Sequence, residues 1–362
     1  MNKLIIRRLK ALLVFVIFIS SASFAQLGNV DFLKSGGADG GKIIQAYLSP
    51  YVNAFGAGLS GGWYNTAKPH KFGGFDITTS FSVGIVPTSA QTFDIGKLGL
   101  TTLNGSGSSP TVAGPNTIGQ PLTSKTLVGT NPVTSFTLPK GTNWRYIPAP
   151  ALQIGLGLPL GTEVKVRYLP KINIDEGSVS LWGVGLIHSI MQYLPGHKLS
   201  PFDVSVFGGY TQLEANLKLP MNPDPGVQMA TGYSWPANAF TDQNLKLKVV
   251  AYNVSAIASV NLKVITFYCG LGYNKTSTEI KITGNYPMPS ADPVLPAVPT
   301  GIRYNSTSLL KGSDIKVPAF NTDPNLRANI GFRLKLAVIT IHADYTRAMY
   351  NVVSAGLGIS FR

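Results

Sequence analysis

Along much of the chain, apolar residues alternate one for one with polar or small ones, the two-residue period of a β-strand that shows a different solvent to each face. The clearest run lies near the C-terminus, where Leu326, Ala328, Ile330, Phe332, Leu334 and Leu336 share one face and Arg327, Asn329, Gly331, Arg333 and Lys335 the other. Ile339, Ile341, Ala343 and Tyr345 then alternate with Thr340, His342, Asp344 and Thr346, and Val353, Ala355, Leu357, Ile359 and Phe361 with Val352, Ser354, Gly356, Gly358 and Ser360. Phe75, Ile77, Phe81, Val83 and Ile85 oppose Asp76, Thr78, Ser80, Ser82 and Gly84 in the same way, and Val164, Val166 and Tyr168 oppose Glu163, Lys165 and Arg167. The pattern predicts ten strands, at about 72–86, 146–158, 162–170, 178–187, 201–214, 245–259, 263–281, 326–336, 339–348 and 351–362.

Tight connections regularly follow long ones, as in outer-membrane barrels, which have short periplasmic turns and longer external loops. With the last strand ending on the periplasmic side, the stretches Pro87 to Asn143, Ala215 to Asn244 and Thr283 to Asn325 fall outside, and the turns at Pro159-Leu160-Gly161 and Lys335 to Val338 fall inside. The long stretches are rich in Pro, Gly, Ser, Thr and Asn, as exposed loops are. Further strands within them, notably at Gly301 to Val317, would raise the count. The expected fold is therefore an all-β transmembrane antiparallel β-barrel of about 10 to 14 strands.

Two segments depart from the alternation. Phe32, Leu33, Ile43, Ile44, Tyr47 and Leu48 are spaced closer to a helix, interrupted by Gly36-Gly37 and Gly40-Gly41, and predict a short N-terminal helical plug or cap entering from the periplasmic side. Ile187, Ile190, Met191 and Leu194 predict a short periplasmic helix ending near Tyr193.

Composition supports a solvent other than water. Charged residues make up 13% of the 362 positions, against about 25% in soluble domains. The longest uncharged apolar run, Ala11 to Ile19, is too short for a bilayer of about 30 Å. Preceded by Lys3, Arg7, Arg8 and Lys10 and followed by Ser23-Phe24-Ala25, it reads as a cleaved signal peptide. The expected division is a signal peptide at 1–25, a helical plug segment at 26–71 and the barrel at 72–362, in the outer membrane of a Gram-negative cell. Loss of the leader lowers the net charge from +14 to about +10, which favours outer-membrane lipid and lipopolysaccharide as neighbours. The basic residues are dispersed and no nucleic-acid module is present, so nucleic acid is not an expected partner. Lone Cys269 forms no internal disulfide.

The most specific motif is Ser354-x-Gly356-x-x-Ile359-x-Phe361, the form of the signal by which barrel-assembly machinery recognises a final strand, with Arg362 added after the aromatic. At Tyr47-Leu48-Ser49-Pro50, at Trp63 through Lys71 and at Gly74-Phe75-Asp76 the chain resembles a family of uncharacterised Gram-negative outer-membrane proteins. The likeness extends to Leu199-Ser200-Pro201-Phe202-Asp203 and Gly208-Gly209-Tyr210-Thr211 and runs nearly full length. It implies fold and location, with no activity to inherit. The layout, a hatch followed by a barrel, is distantly similar to the long-chain fatty-acid transporter family, with no residue carried over.

Two groups are candidates for chemistry. Trp63, Tyr64, Lys68, His70 and Lys71 could bind an anion or lipid headgroup, although membrane-interface anchoring explains the same residues more simply. If the strands at 326–336 and 339–348 pair through a tight turn, Arg333 faces His342, with Asp344 diagonal and Lys335 near the turn, giving a lumenal charge cluster. Such a cluster is either a gate or a salt-bridge filling of a narrow lumen. No catalytic residue, cofactor site or metal-ligand spacing stands out, and a lipid hydrolase would need a Ser within reach of one of the four His residues. The leading expectation is passage of a small apolar solute, requiring a continuous apolar pocket beneath the plug. The alternative is a structural or surface-interaction barrel with a sealed lumen and functional external loops.

Overall fold

The computed structural model describes residues 37–174, 177–193, 201–291, 302–322 and 324–361. The expected signal peptide lies outside them, as do the residues preceding Gly37. Ten strands form the barrel wall: β1 (Phe75–Ile85), β2 (Tyr146–Leu158), β3 (Thr162–Ile174), β4 (Gly177–Ser189), β5 (Phe202–Lys218), β6 (Asn244–Leu262), β7 (Ile265–Thr283), β8 (Asn325–Leu336), β9 (Ile339–Arg347) and β10 (Asn351–Phe361). Each pairs antiparallel with its neighbour in sequence, and β1 pairs with β10 from Phe75↔Phe361 to Ile85↔Asn351, which closes the barrel and leaves no open edge. The segment Phe320–Asn321 adds a short pairing on β7. The strand number is thus ten. Between 302 and 317 the only strands are the short loop pieces Ile302–Arg303 and Leu309–Lys311.

The wall follows the alternation. Ile330, Leu357 and Ile359 point outward and are exposed, while Arg327, Arg333, His342 and Ser354 point inward and are buried. Tight turns close one end: Leu262 pairs with Ile265 and Leu336 with Ile339, each across a two-residue turn whose first residue, Lys263 or Ala337, takes a left-handed backbone. The long connections 86–145 and 219–243 and the described residues of the third, 284–291 and 302–322, gather at the other end.

Aromatic side chains mark both borders of the lipid-facing band. Trp182, Tyr210 and Tyr252 stack side by side at 5.1 and 5.3 Å on one border, and Phe75 and Phe361 meet at 5.0 Å on the other. β6 and β7 each run 19 residues, well beyond the roughly 9–11 that a membrane strand needs. Above Tyr252 and Tyr273 their polarity inverts: Leu245, Val249, Ile280 and Ile282 turn inward and are buried, while Lys246, Lys248, Glu279 and Lys281 turn outward and are exposed. The wall therefore rises past the apolar lipid-facing band and encloses an apolar interior there.

That interior holds helix α1 (Gly37–Leu59). Ile43, Ile44, Tyr47, Leu48, Tyr51 and Val52 form one buried cluster with Ile95, Leu122 and Phe136 of the loop 86–145, with Leu219 and Met221 of the second loop, and with Ile280 and Ile282 of β7. Helix α1 thus sits at the long-loop end, whereas the expectation put it at the end of the short turns. It is also longer than the spacing predicted, continuing through Pro50 to Leu59. Proline removes one helical N–H, and the Ser49 hydroxyl turns toward the Ala46 carbonyl left behind. Helix and wall come close at Gly84 of β1, where any Cβ would overlap the Ala54 carbonyl. The expected helix at Ile187 to Leu194 reduces to the turn Met191–Tyr193, because β4 continues through Ile187 to Ser189.

Among the described residues no helix is long and apolar enough to cross a membrane. The strands are what span it.

Candidate functional site

From α1 to β1 the chain, residues 37–74, forms a strap that runs down the lumen and fills it level by level. At the top, Asp39 in the first turn of α1 is fully buried and accepts the backbone N–H groups of Thr101, Thr102 and Leu103 at 2.7–3.2 Å and both threonine hydroxyls. Burial alone would raise its pKa, but these donors hold it down, from 3.8 to about 2. A depressed carboxylate pKa contributes stability that is complete above the unfolded value and lost as pH falls through the folded one. The clamp of the loop 86–145 onto α1 is accordingly expected to hold above about pH 4 and to release toward about pH 2. Hydrogen exchange at the Thr101 and Thr102 amides checks this. Protection that stays constant from pH 5 to below pH 2, after correction for intrinsic rates, would contradict it.

At mid-lumen the C-terminus of α1 meets two arginines. The last carbonyls of a helix lack internal donors and carry the negative end of its dipole. Arg167 of β3 donates to the Leu59 and Gly61 carbonyls at 2.8 and 2.7 Å, and Arg327 of β8 to the Ser60 carbonyl at 2.7 Å. Asn253 of β6 adds a bond to Ser60 at 3.1 Å. Arg167 also holds Gln153 through Nε and lies 3.8 Å over the ring of Trp63.

Below this, Trp63 and Tyr64 are buried with Ile187, Phe207, Ile257 and Tyr268, and the Tyr64 hydroxyl donates to Asn329 at 2.8 Å. These aromatics therefore occupy the lumen, and the lipid border expected for them is taken by other residues. Gly185 and Gly209 leave the space Trp63 fills. Asn65 reaches His342 at 3.4 Å, and Ala67 is fixed between Ser259 and Ser205.

The lowest level is a buried charge network. His70 Nδ1 lies 2.8 Å from Glu163 Oε2 and 3.8 Å from Asp76 Oδ1, while Lys165 Nζ lies 2.5 Å from Glu163 and 3.3 Å from Asp76. His70 Nε2 lies 3.0 Å from Ser360 Oγ, which Arg333 and Lys335 also reach, at 3.2 and 3.4 Å. Lys68 and Lys71 are exposed at this end, Lys68 standing 4.0 Å from Asp203. Arg333 pairs with His342 across the ladder, and Asp344, opposite Gly331, is diagonal to Arg333 and accepts the Tyr268 hydroxyl at 3.1 Å. In the terminal motif, Ser354 faces the lumen, Gly356 leaves room for the His342 ring, and Ile359 and Phe361 face lipid.

His70, Asp76 and Glu163 place three ligand atoms within 4.8 Å, but the Lys165 ammonium already pairs with both carboxylates and would oppose a metal ion in their midst. Glu163, His70 and Ser360 also have the spacing of an acid-base-nucleophile relay. With these residues at 1, 4 and 1% exposure, the relay is walled in. In the sequence Glu163, Lys165 and Arg167 stand out only as a polar strand face, and His70, which meets Glu163, only as part of the candidate anion-binding or membrane-interface segment from Trp63 to Lys71.

In comparisons with solved structures, the chain is similar to Ail of Yersinia pestis (7% identity, 80% of this chain and 98% of that one, TM-score 0.25). It is also similar to the translocator domain of the autotransporter NalP from Neisseria meningitidis (11%, 86% and 93%, 0.27) and to the outer membrane protease OmpT from Escherichia coli (7%, 83% and 100%, 0.29). No curated protein matches the sequence. A family model matches residues 1–361, and the chain belongs to that family, the family of unknown function DUF6588.

Proposed function

We propose that the protein is a sealed outer-membrane barrel that acts through the ordered assembly of α1 and the three long loops at its external face. The observation that carries this is the course of residues 37–74, which occupy the lumen from the long-loop end to the short-turn end. Passage of an apolar solute would need an apolar cavity beneath the plug, and that level holds His70, Glu163, Lys165 and Arg333, all buried. An apolar crevice beside Ile43, Tyr47, Leu219 and Ile282 has room for about 10 Å³, the space of one water molecule. The same enclosure argues against hydrolysis, because a substrate carbonyl would need a place beside Ser360. The relay is better suited to holding the strap. Planar-bilayer recording of the purified full chain tests the seal. The expected record is silent, and steady single-channel steps from the intact protein would overturn the proposal.

A further inference from the structure

The outer wall of β6 and β7 carries a cationic face just above the aromatic border. On the outward side of this pair, Tyr252 stands opposite Lys275, Lys248 opposite Glu279, and Lys246 opposite Lys281. All four lysines are exposed. Glu279 is committed to Lys281 at 2.8 Å. Glu214 of β5 stands across the ladder from Lys248 and accepts from Gln212 at 2.9 Å. Among the described residues, Lys246, Lys248 and Lys275 have no carboxylate within 4.0 Å. Like charges placed directly across a ladder, as Lys246 and Lys281 are, disfavour the pairing. Glu279 offsets the charge of Lys281, and an anion held by Lys246 lowers the cost that remains.

The height of this face identifies the anion. Tyr252 and Tyr273 mark the top of the lipid-facing band, and the lysines begin at Lys275, two residues above Tyr273, and continue for about 20 Å at roughly 3.3 Å per residue. Headgroup phosphates of the outer leaflet lie at this level, beside aromatic anchors. Lysine's compact ammonium suits phosphate as a point charge, and its flexible stem follows a mobile headgroup. The geometry points to a binding site for a phosphorylated lipid of the outer leaflet on the β6–β7 wall, formed by Lys246, Lys248 and Lys275 with Tyr252 and Tyr273 beneath its acyl chains. The site depends on the membrane orientation alone and is independent of whether the lumen is sealed.

Native mass spectrometry of the purified full chain tests it, with bisphosphorylated lipid A and the same lipid after phosphatase treatment as probes. A chain carrying K246Q, K248Q and K275Q is compared with one carrying K97Q, K125Q and K140Q, which loses three charges from the external loop 86–145 instead. The wall variant is expected to bind the phosphorylated lipid about 10-fold or more weakly than the parent, with the loop variant unchanged. Both variants should keep the heat-modifiable mobility of a folded barrel. Equal binding by wall variant and parent, or phosphatase treatment without effect, would overturn the proposal. Full displacement of the lipid by millimolar inorganic phosphate would overturn it as well, since the site would then be one for free phosphate.

Discussion

Replacing Arg167 with Ala is expected to destabilise the folded barrel by about 3–5 kcal/mol, the scale for removing one partner from a buried charged network. The substitution strips donors from the Leu59 and Gly61 carbonyls and from Gln153, and removes the cation stacked on Trp63. Each lost bond to a charged group is worth about 1.5–3 kcal/mol. The losses are not additive, because the same strap can relax around all of them. The carbonyls left unpaired belong to a helix terminus, so the damage falls on the plug in particular. Arg167→Met keeps much of the volume without the donors and should recover little, whereas Arg167→Lys should recover part, since one ammonium cannot serve two carbonyls and a ring with the guanidinium's geometry. Equilibrium unfolding in denaturant with the protein in lipid vesicles reads these differences. A change below about 1 kcal/mol for Arg167→Ala would mean that the plug is held by its apolar half alone.

The contrast between wall and plug explains what could be read in advance. All ten strands were legible because each lies between lipid and a polar lumen, and that boundary imposes a strict period of two on residues such as Leu326 to Leu336. The register of Arg333 on His342 followed from a two-residue turn. The plug has no such boundary. Helix α1 contains Gly37, Gly40, Gly41, Gly56, Gly58 and Pro50, a composition of poor helix propensity. It is helical because the lumen gives its apolar face a partner, with glycine where the wall comes close, as Gly56 does at Thr276. Reading Gly40-Gly41 as an interruption follows from propensity and fails for that reason. Trp63 and Tyr64 present the opposite difficulty: an aromatic pair beside lysines has the same composition at a lipid border as in an occupied lumen, and only the glycines facing it on β4 and β5 distinguish the two. Inversion of polarity along β6 and β7 was present in the sequence as Leu245-Lys246-Leu247-Lys248-Val249. It shifts no residue off the two-residue period, so periodicity alone conceals it.

Because the strap runs through the lumen, its two ends should answer to reagents on opposite sides of the membrane. Lys42 in α1 is about one-third exposed at the long-loop end, where its ammonium meets the Gly99 carbonyl, and Lys68 is about half exposed near Asp203 at the short-turn end. With short turns facing the periplasm, a membrane-impermeant maleimide added to intact cells is expected to label Lys42→Cys and to leave Lys68→Cys unmodified until the outer membrane is permeabilised. Both substitutions are made on a Cys269→Ala background, since that lone thiol is exposed on the lipid-facing wall. The expected contrast is near-complete labelling against none. The reverse pattern would invert the barrel in the membrane and put the lysine face of β6 and β7 on the periplasmic side. Labelling of both positions in intact cells would mean that the lumen admits the reagent, which the His70–Glu163–Lys165–Ser360 network and the two arginines at the end of α1 are placed to prevent. Labelling of Lys42→Cys alone would place the long-loop end of the lumen outside the cell and the Lys68 end in the periplasm, with the filled lumen between them.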